Sequence, residues 1–145
     1  MKRRQTGFTV VELLIVLVVF AILAAVALPS YRDSVRKSGR TAAKGALLDI
    51  VMRQEQHFLN NRSFSTNLAD LGLPDPYFVD KTSATVGAGS DRRVYKISLA
   101  NATGTDFDVV ATAVLDQAKD VCGNYTLGAT GVRNVSGGPG ADICW

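Results

Sequence analysis

The sequence predicts an α+β protein: one long N-terminal helix, packed by its second half on a small antiparallel β-sheet, with a disulfide-closed region near the C-terminus. Three observations predict it. An apolar run fills residues 8–28 and passes into helically spaced apolar residues as far as Phe58. Alternating apolar patterns, cut by Gly, Asn and Asp turns, occupy the middle of the chain. Two cysteines, Cys122 and Cys144, stand close to the end.

The apolar run carries a single charge, Glu12. As a helix its 21 residues measure about 31 Å, matching a hydrocarbon core of about 30 Å. An ionised side chain inside a membrane helix costs about 3 kcal/mol or more, so Glu12 calls for a partner. The run is first weighed as a cleaved secretory signal, with Ala25-Val26-Ala27 as the small-residue site. Glu12 and the length of the run oppose that reading. An ordinary signal anchor is the second reading, and it leaves Glu12 without a role. Basic residues flank both ends, so loop charge does not set an orientation.

The net charge of +3 and the isoelectric point near 9.0 come from the leader. Lys2, Arg3 and Arg4 supply all of the excess; from Phe8 onward 13 basic residues balance 13 acidic ones. The remainder is therefore no broad nucleic-acid footprint.

Beyond Ser30, Ala43, Leu47, Ile50, Val51, Gln54 and Phe58 follow helical spacing. Arg36, Lys37, Arg40, Lys44 and Arg53 lie mostly elsewhere on the helix and read as a solvated face. One helix from about Thr9 to Asn60 is expected. Pro29 removes one of its backbone hydrogen bonds and is a site for a bend. A connecting loop rich in Asn, Ser, Gly and Pro follows, with a short helical turn near Asn67–Leu71. Asp70, Asp75 and Asp80 do not have the spacing of a calcium loop. Strands are expected at Val94–Ala100, Phe107–Leu115 and Asn124–Leu127, with a fourth around Tyr77–Thr85. The tail after residue 131 reads as loop.

An even cysteine number in a chain with an export signal favours a Cys122–Cys144 disulfide over two unrelated thiols. Chain entropy makes such a crosslink worth about 3 kcal/mol. His57 is the sole histidine, so no ordinary zinc set exists, and no metal or cofactor is expected. No phosphate-binding glycine motif and no nucleophile arrangement occurs, and the chain does not read as an enzyme.

The segment G-F-T-V-V-E-L-L-I-V, with Pro29 downstream, resembles the class III signal of type IV pilins and related pseudopilins. The resemblance implies the pilin fold. It implies cleavage after Gly7 by a prepilin peptidase, which then N-methylates Phe8. It implies Glu12 as the fifth mature residue, paired with the terminal amine of a neighbouring subunit, and Pro29 as the helix-kinking proline. The implied division is a leader at 1–7, a transmembrane and filament-core helix at 8–29, and a globular pilin domain at 30–145. The implied partners are other pilin subunits through their N-terminal helices, the peptidase, and the inner-membrane assembly machinery. The implied locations are the inner membrane, with the C-terminal domain in the periplasm, and then the extracellular filament.

Past the N-terminus, Q-E-Q-H-F-L-N-N-R-S-F-S-T-N-L-A-D-L-G-L, Y-K-I-S-L and the cysteine spacing look like PilE-type minor pilins. That resemblance implies a subunit that primes filament assembly. The same region resembles competence pilins that bind DNA during uptake. Arg92, Arg93, Lys96 and Arg133 are the candidate DNA contacts, as a local patch on a charge-balanced domain. A major pilin and a type II secretion pseudopilin are the remaining alternatives.

Overall fold

The computed structural model describes residues 9–145. Gly7 and Phe8 lie outside the described residues. Helix α1 (Val10–Asn61) is followed by a 3-10 turn (Ala69–Leu71) and then by β1 (Tyr77–Asp80), β2 (Thr85–Val86), β3 (Arg93–Ala100) and β4 (Asp108–Ala113). A second 3-10 turn (Leu115–Lys119), β5 (Tyr125–Gly128), β6 (Arg133–Val135) and α2 (Ala141–Cys144) complete the chain. The chain divides into two compact units between Ser34 and Val35.

In the N-terminal unit every large apolar side chain from Val10 to Leu28 is more than half exposed. Such a surface is out of place in water and suits hydrocarbon or a bundle of like helices. The Thr9 hydroxyl accepts the Glu12 backbone N–H at 3.2 Å, so Thr9 caps α1. Pro29 lies inside α1, where it withholds one donor from the helical ladder.

In the C-terminal unit the strands form one antiparallel sheet in the order β2-β1-β3-β4-β5-β6. Residues alternate across its faces. Tyr95 and Ile97 of β3, Val109 and Ala111 of β4, and Tyr125 and Leu127 of β5 point into the core. Opposite them stand Ala43, Ala46, Leu47 and Ile50 of α1. Small residues let the helix approach closely: a Cβ on Gly39 would meet Gln117 Oε1 at 2.6 Å. Gln54 is fully buried on the same stripe, and a reciprocal pair of 2.8 Å bonds with the Ser65 backbone satisfies it. Those bonds fasten the connecting loop to the helix. Cys122 and Cys144 form the disulfide, with Cα atoms 5.8 Å apart.

The sheet differs from the sequence expectation in three places. The strand expected to reach Leu115 stops at Ala113, because Leu115 turns into the left-handed region at φ 53°. The stretch Tyr77–Thr85 is two strands, joined by a turn that Asp80 organises: its Oδ1 accepts from the Thr82 N–H and hydroxyl and from the Ala84 N–H. The tail is not wholly loop. Its three-residue β6 pairs on β5, too short and polar to show alternation, and α2 ends at the disulfide.

Candidate assembly helix and nucleic-acid interface

The exposed apolar helix is the first candidate surface. Glu12 lies in its first turn, where the helix dipole favours a negative charge. Thr9 and Glu12 have the Thr-x-x-Glu spacing of a capping box, of which the structure shows the half made by the Thr9 hydroxyl and the Glu12 backbone N–H, a cap that the sequence reading overlooked. The terminal amine proposed to pair with it belongs to residues outside those described.

The basic candidates are Arg92, Arg93, Lys96 and Arg133. The register does not bring all four together. Lys96 is paired with Phe78 on one side and Thr112 on the other, so it stands on the face away from α1. Arg133 is paired with Leu127, whose row continues through Val109 to Leu99 and belongs to the core face. Lys96 and Arg133 therefore occupy opposite faces, three strands or about 14 Å apart. Arg133 is occupied locally, its guanidinium 5.3 Å from the centre of the Trp145 ring. Arg93 is half-buried, donates to the Ala88 and Ser90 carbonyls, and lies 5.7 Å from the Phe78 ring centre. Arg92 and Lys96 are exposed. The basic feature on this sheet is thus the β1–β3 end, with Arg133 apart from it.

A buried polar network ties α1 to the disulfide loop, and sequence reading missed it. Arg40 binds the fully buried Asp120 carboxylate. Asp120 also accepts from Gln117 Nε2 at 3.0 Å and from the Cys122 N–H at 2.8 Å. Its hydrogen bond holds the Arg40 guanidinium above its ordinary pKa, against the opposing effect of burial. The Cys144 carbonyl accepts from Lys44 Nζ at 3.0 Å and from the Tyr125 hydroxyl at 3.3 Å. Burial lowers the Lys44 pKa and pushes the Tyr125 hydroxyl up to about 12. Arg40 and Lys44 are thus anchors and not the solvated face that helical spacing suggested. The signal that could have found them is their position one turn apart beside the Ala43–Leu47 stripe.

His57 Nδ1 lies 2.9 Å from the Ser63 carbonyl oxygen, so the ring secures the end of α1. Among the described residues no group of His, Cys, Asp and Glu is placed to hold a metal ion.

Comparison with known proteins adds the family. Residues 2–28 match the prokaryotic N-terminal methylation motif. Residues 29–126 match the model described as "Type IV minor pilin ComP, DNA uptake sequence receptor". Fimbrial protein Q of Moraxella bovis is 29% identical over 88% of this chain and 87% of its own length. The fimbrial protein of Dichelobacter nodosus is 34% identical over 80% of this chain and 63% of its own length. The type IV wide pilus major component PilA4 of Thermus thermophilus is 39% identical over 48% of this chain, which spans about half (53%) of that relative. A motif ending at Leu28 and a domain match beginning at Pro29, on an exposed apolar helix and a disulfide-closed antiparallel sheet, have one reading between them: this chain belongs to the type IV pilin family, with a ComP-type domain.

Proposed function

We propose that this chain is a minor subunit of a type IV pilus that helps prime filament assembly. The match of residues 29–126 to a minor-pilin model carries the reading. In this reading residues 1–7 are the leader, 8–29 the membrane and filament-core helix, and 30–145 the pilin domain. A prepilin peptidase cuts after Gly7 and methylates Phe8. Glu12 then neutralises the α-amine of a neighbouring subunit, which removes an unpaired charge from an apolar environment. Pro29 loosens the ladder where the helix leaves the membrane. The chain waits in the inner membrane, domain outward, until the assembly machinery extracts it. It is a substrate of the peptidase, and no catalysis of its own is assigned to it. Abundance in sheared pili tests the minor role: a trace supports it, and dominance of this chain overturns it. Mass spectrometry of the same material should find a terminus at methylated Phe8.

A second reading is DNA binding, favoured by the receptor named in the matching model. Arg92 and Lys96 are its best-placed contacts, and Arg133 is set apart from them. The test is an electrophoretic shift with the full chain in detergent. Lys96→Glu with Arg92→Glu should abolish a salt-sensitive shift, whereas Arg133→Glu should leave it within about twofold. No shift in the unaltered chain at low salt sinks the reading.

A further inference from the structure

A cleft of about 350 Å³ opens in the C-terminal unit beside the start of its helix, the turn after β1 and the turn at residue 115. Val35, Val94 and Leu115 give it apolar lining, and charged residues surround them. Several of those charges are committed. Asp80 is buried and holds its own turn. Arg93 is bound to two carbonyls and stacked on Phe78. Asp116 accepts from Lys119 and lies 3.9 Å from Arg36. Lys81, Arg92 and Asp91 remain exposed at the cleft, a local excess of one positive charge.

Two features ask for a ligand. Arg36 Nε is buried and has no hydrogen-bond acceptor among the described residues. That buried nitrogen is out of a ligand's reach, but the Arg36 side chain keeps 23% of its surface exposed, so its outer nitrogens can meet an oxygen in the cleft. Leu115 is 48% exposed and sits at φ 53°, a conformation that opposes any side chain with a Cβ. The fold accepts that strain and holds an apolar side chain out among cations. Cations for phosphate beside an apolar group for the acyl boundary is the composition of a membrane-docking surface. A nucleic acid offers phosphates and no apolar phase for Leu115. The covalent chain supplies the other argument: Val35 is seven residues beyond Leu28, so even fully extended it stays within about 25 Å of the apolar run.

We propose that this cleft takes the headgroup phosphate of a phospholipid in the membrane that holds the N-terminal helix. Lys81, Arg92 and Arg36 receive the phosphate oxygens, and Leu115 enters the acyl boundary. The docked domain is then held at the membrane until extraction removes the lipid. The proposal rests on the membrane-stored form described above; a chain missing from the membrane fraction defeats that form, whereas a chain that inserts without docking defeats this proposal alone.

Hydrogen exchange of the full-length chain tests it, in phospholipid nanodiscs and in maltoside micelles, which lack phosphate. Amides of residues 87–92 and 115–119 should exchange about tenfold more slowly in nanodiscs. Lys81→Glu with Arg92→Glu, and separately Leu115→Ser, should remove that difference while β3 and β4 keep their protection, which shows the fold intact. Equal exchange in both surroundings overturns the proposal, as does protection that survives charge reversal. Protection reproduced in micelles by inorganic phosphate alone, or by duplex DNA alone, overturns the lipid assignment in favour of that ligand.

Discussion

Arg40 of α1 and Asp120, two residues before Cys122 and 80 residues from Arg40, meet through three N–O contacts of 2.9 to 3.1 Å. Asp120 has no exposed side-chain surface. Removing the cation strands a buried carboxylate, whereas removing both partners does not. Arg40→Ala should cost about 3 kcal/mol, and Arg40→Met with Asp120→Leu clearly less. Denaturant unfolding of the full chain in micelles checks this; equal losses in both variants would show that packing, not charge, dominates.

Two separable roles meet at the helix start: the Thr9 hydroxyl caps it through the Glu12 backbone N–H, and the Glu12 carboxylate carries the proposed intermolecular pairing. Thr9→Ala should weaken only the helix start, by about 1 kcal/mol. Glu12→Val should leave the chain in the membrane fraction and reduce its incorporation into sheared pili at least tenfold. Incorporation at the native level would remove the intermolecular role.

Two glycines inside α1 should respond oppositely to alanine. Gly45 has nothing within 4 Å of an added Cβ, so Gly45→Ala should stabilise by up to about 1 kcal/mol through helix propensity. Gly39→Ala gains the same propensity but drives into the Gln117 amide, which is held by Asp120 and by the Arg36 carbonyl. It should be net destabilising, by about 1–2 kcal/mol. Paired thermal melts of the two variants decide it.

Alkali should loosen the core from the disulfide side. Burial raises the Tyr125 hydroxyl to about 12 and the Tyr95 hydroxyl above its ordinary value of 10. Both phenols are favoured neutral in the fold, so their contribution is complete below about pH 10 and declines as pH rises through 12. Tyr125→Phe should flatten that decline in stability measured between pH 9 and 12.

The helix, its buried stripe and the strands of β3 and β4 were legible because each repeats a period over many residues: Ala43, Leu47 and Ile50 on the helix, Tyr95 and Ile97 on the strand. The cysteine pair was legible from number and position. What escaped were features set by single long-range contacts. Arg40 and Lys44 have the spacing of a solvated face, and only the return of Asp120 and Cys144 makes them anchors. Gln54 fitted an apolar stripe by position, and its reason for being there is Ser65. The separation of Arg133 from Lys96 is a matter of register, which charge counting cannot see.

The sheet order has a temporal side. β3 pairs on the free edge of β1, from β4 to β6 each strand pairs with the one before it in sequence, and Cys144 follows them all. A chain delivered N-terminus first can therefore add its strands one at a time, each to an edge already present. The crosslink to Cys122 comes last in that order. It acts as a latch on a finished sheet rather than a template for it, so the oxidation state of the two thiols is a readout of whether the domain has been completed.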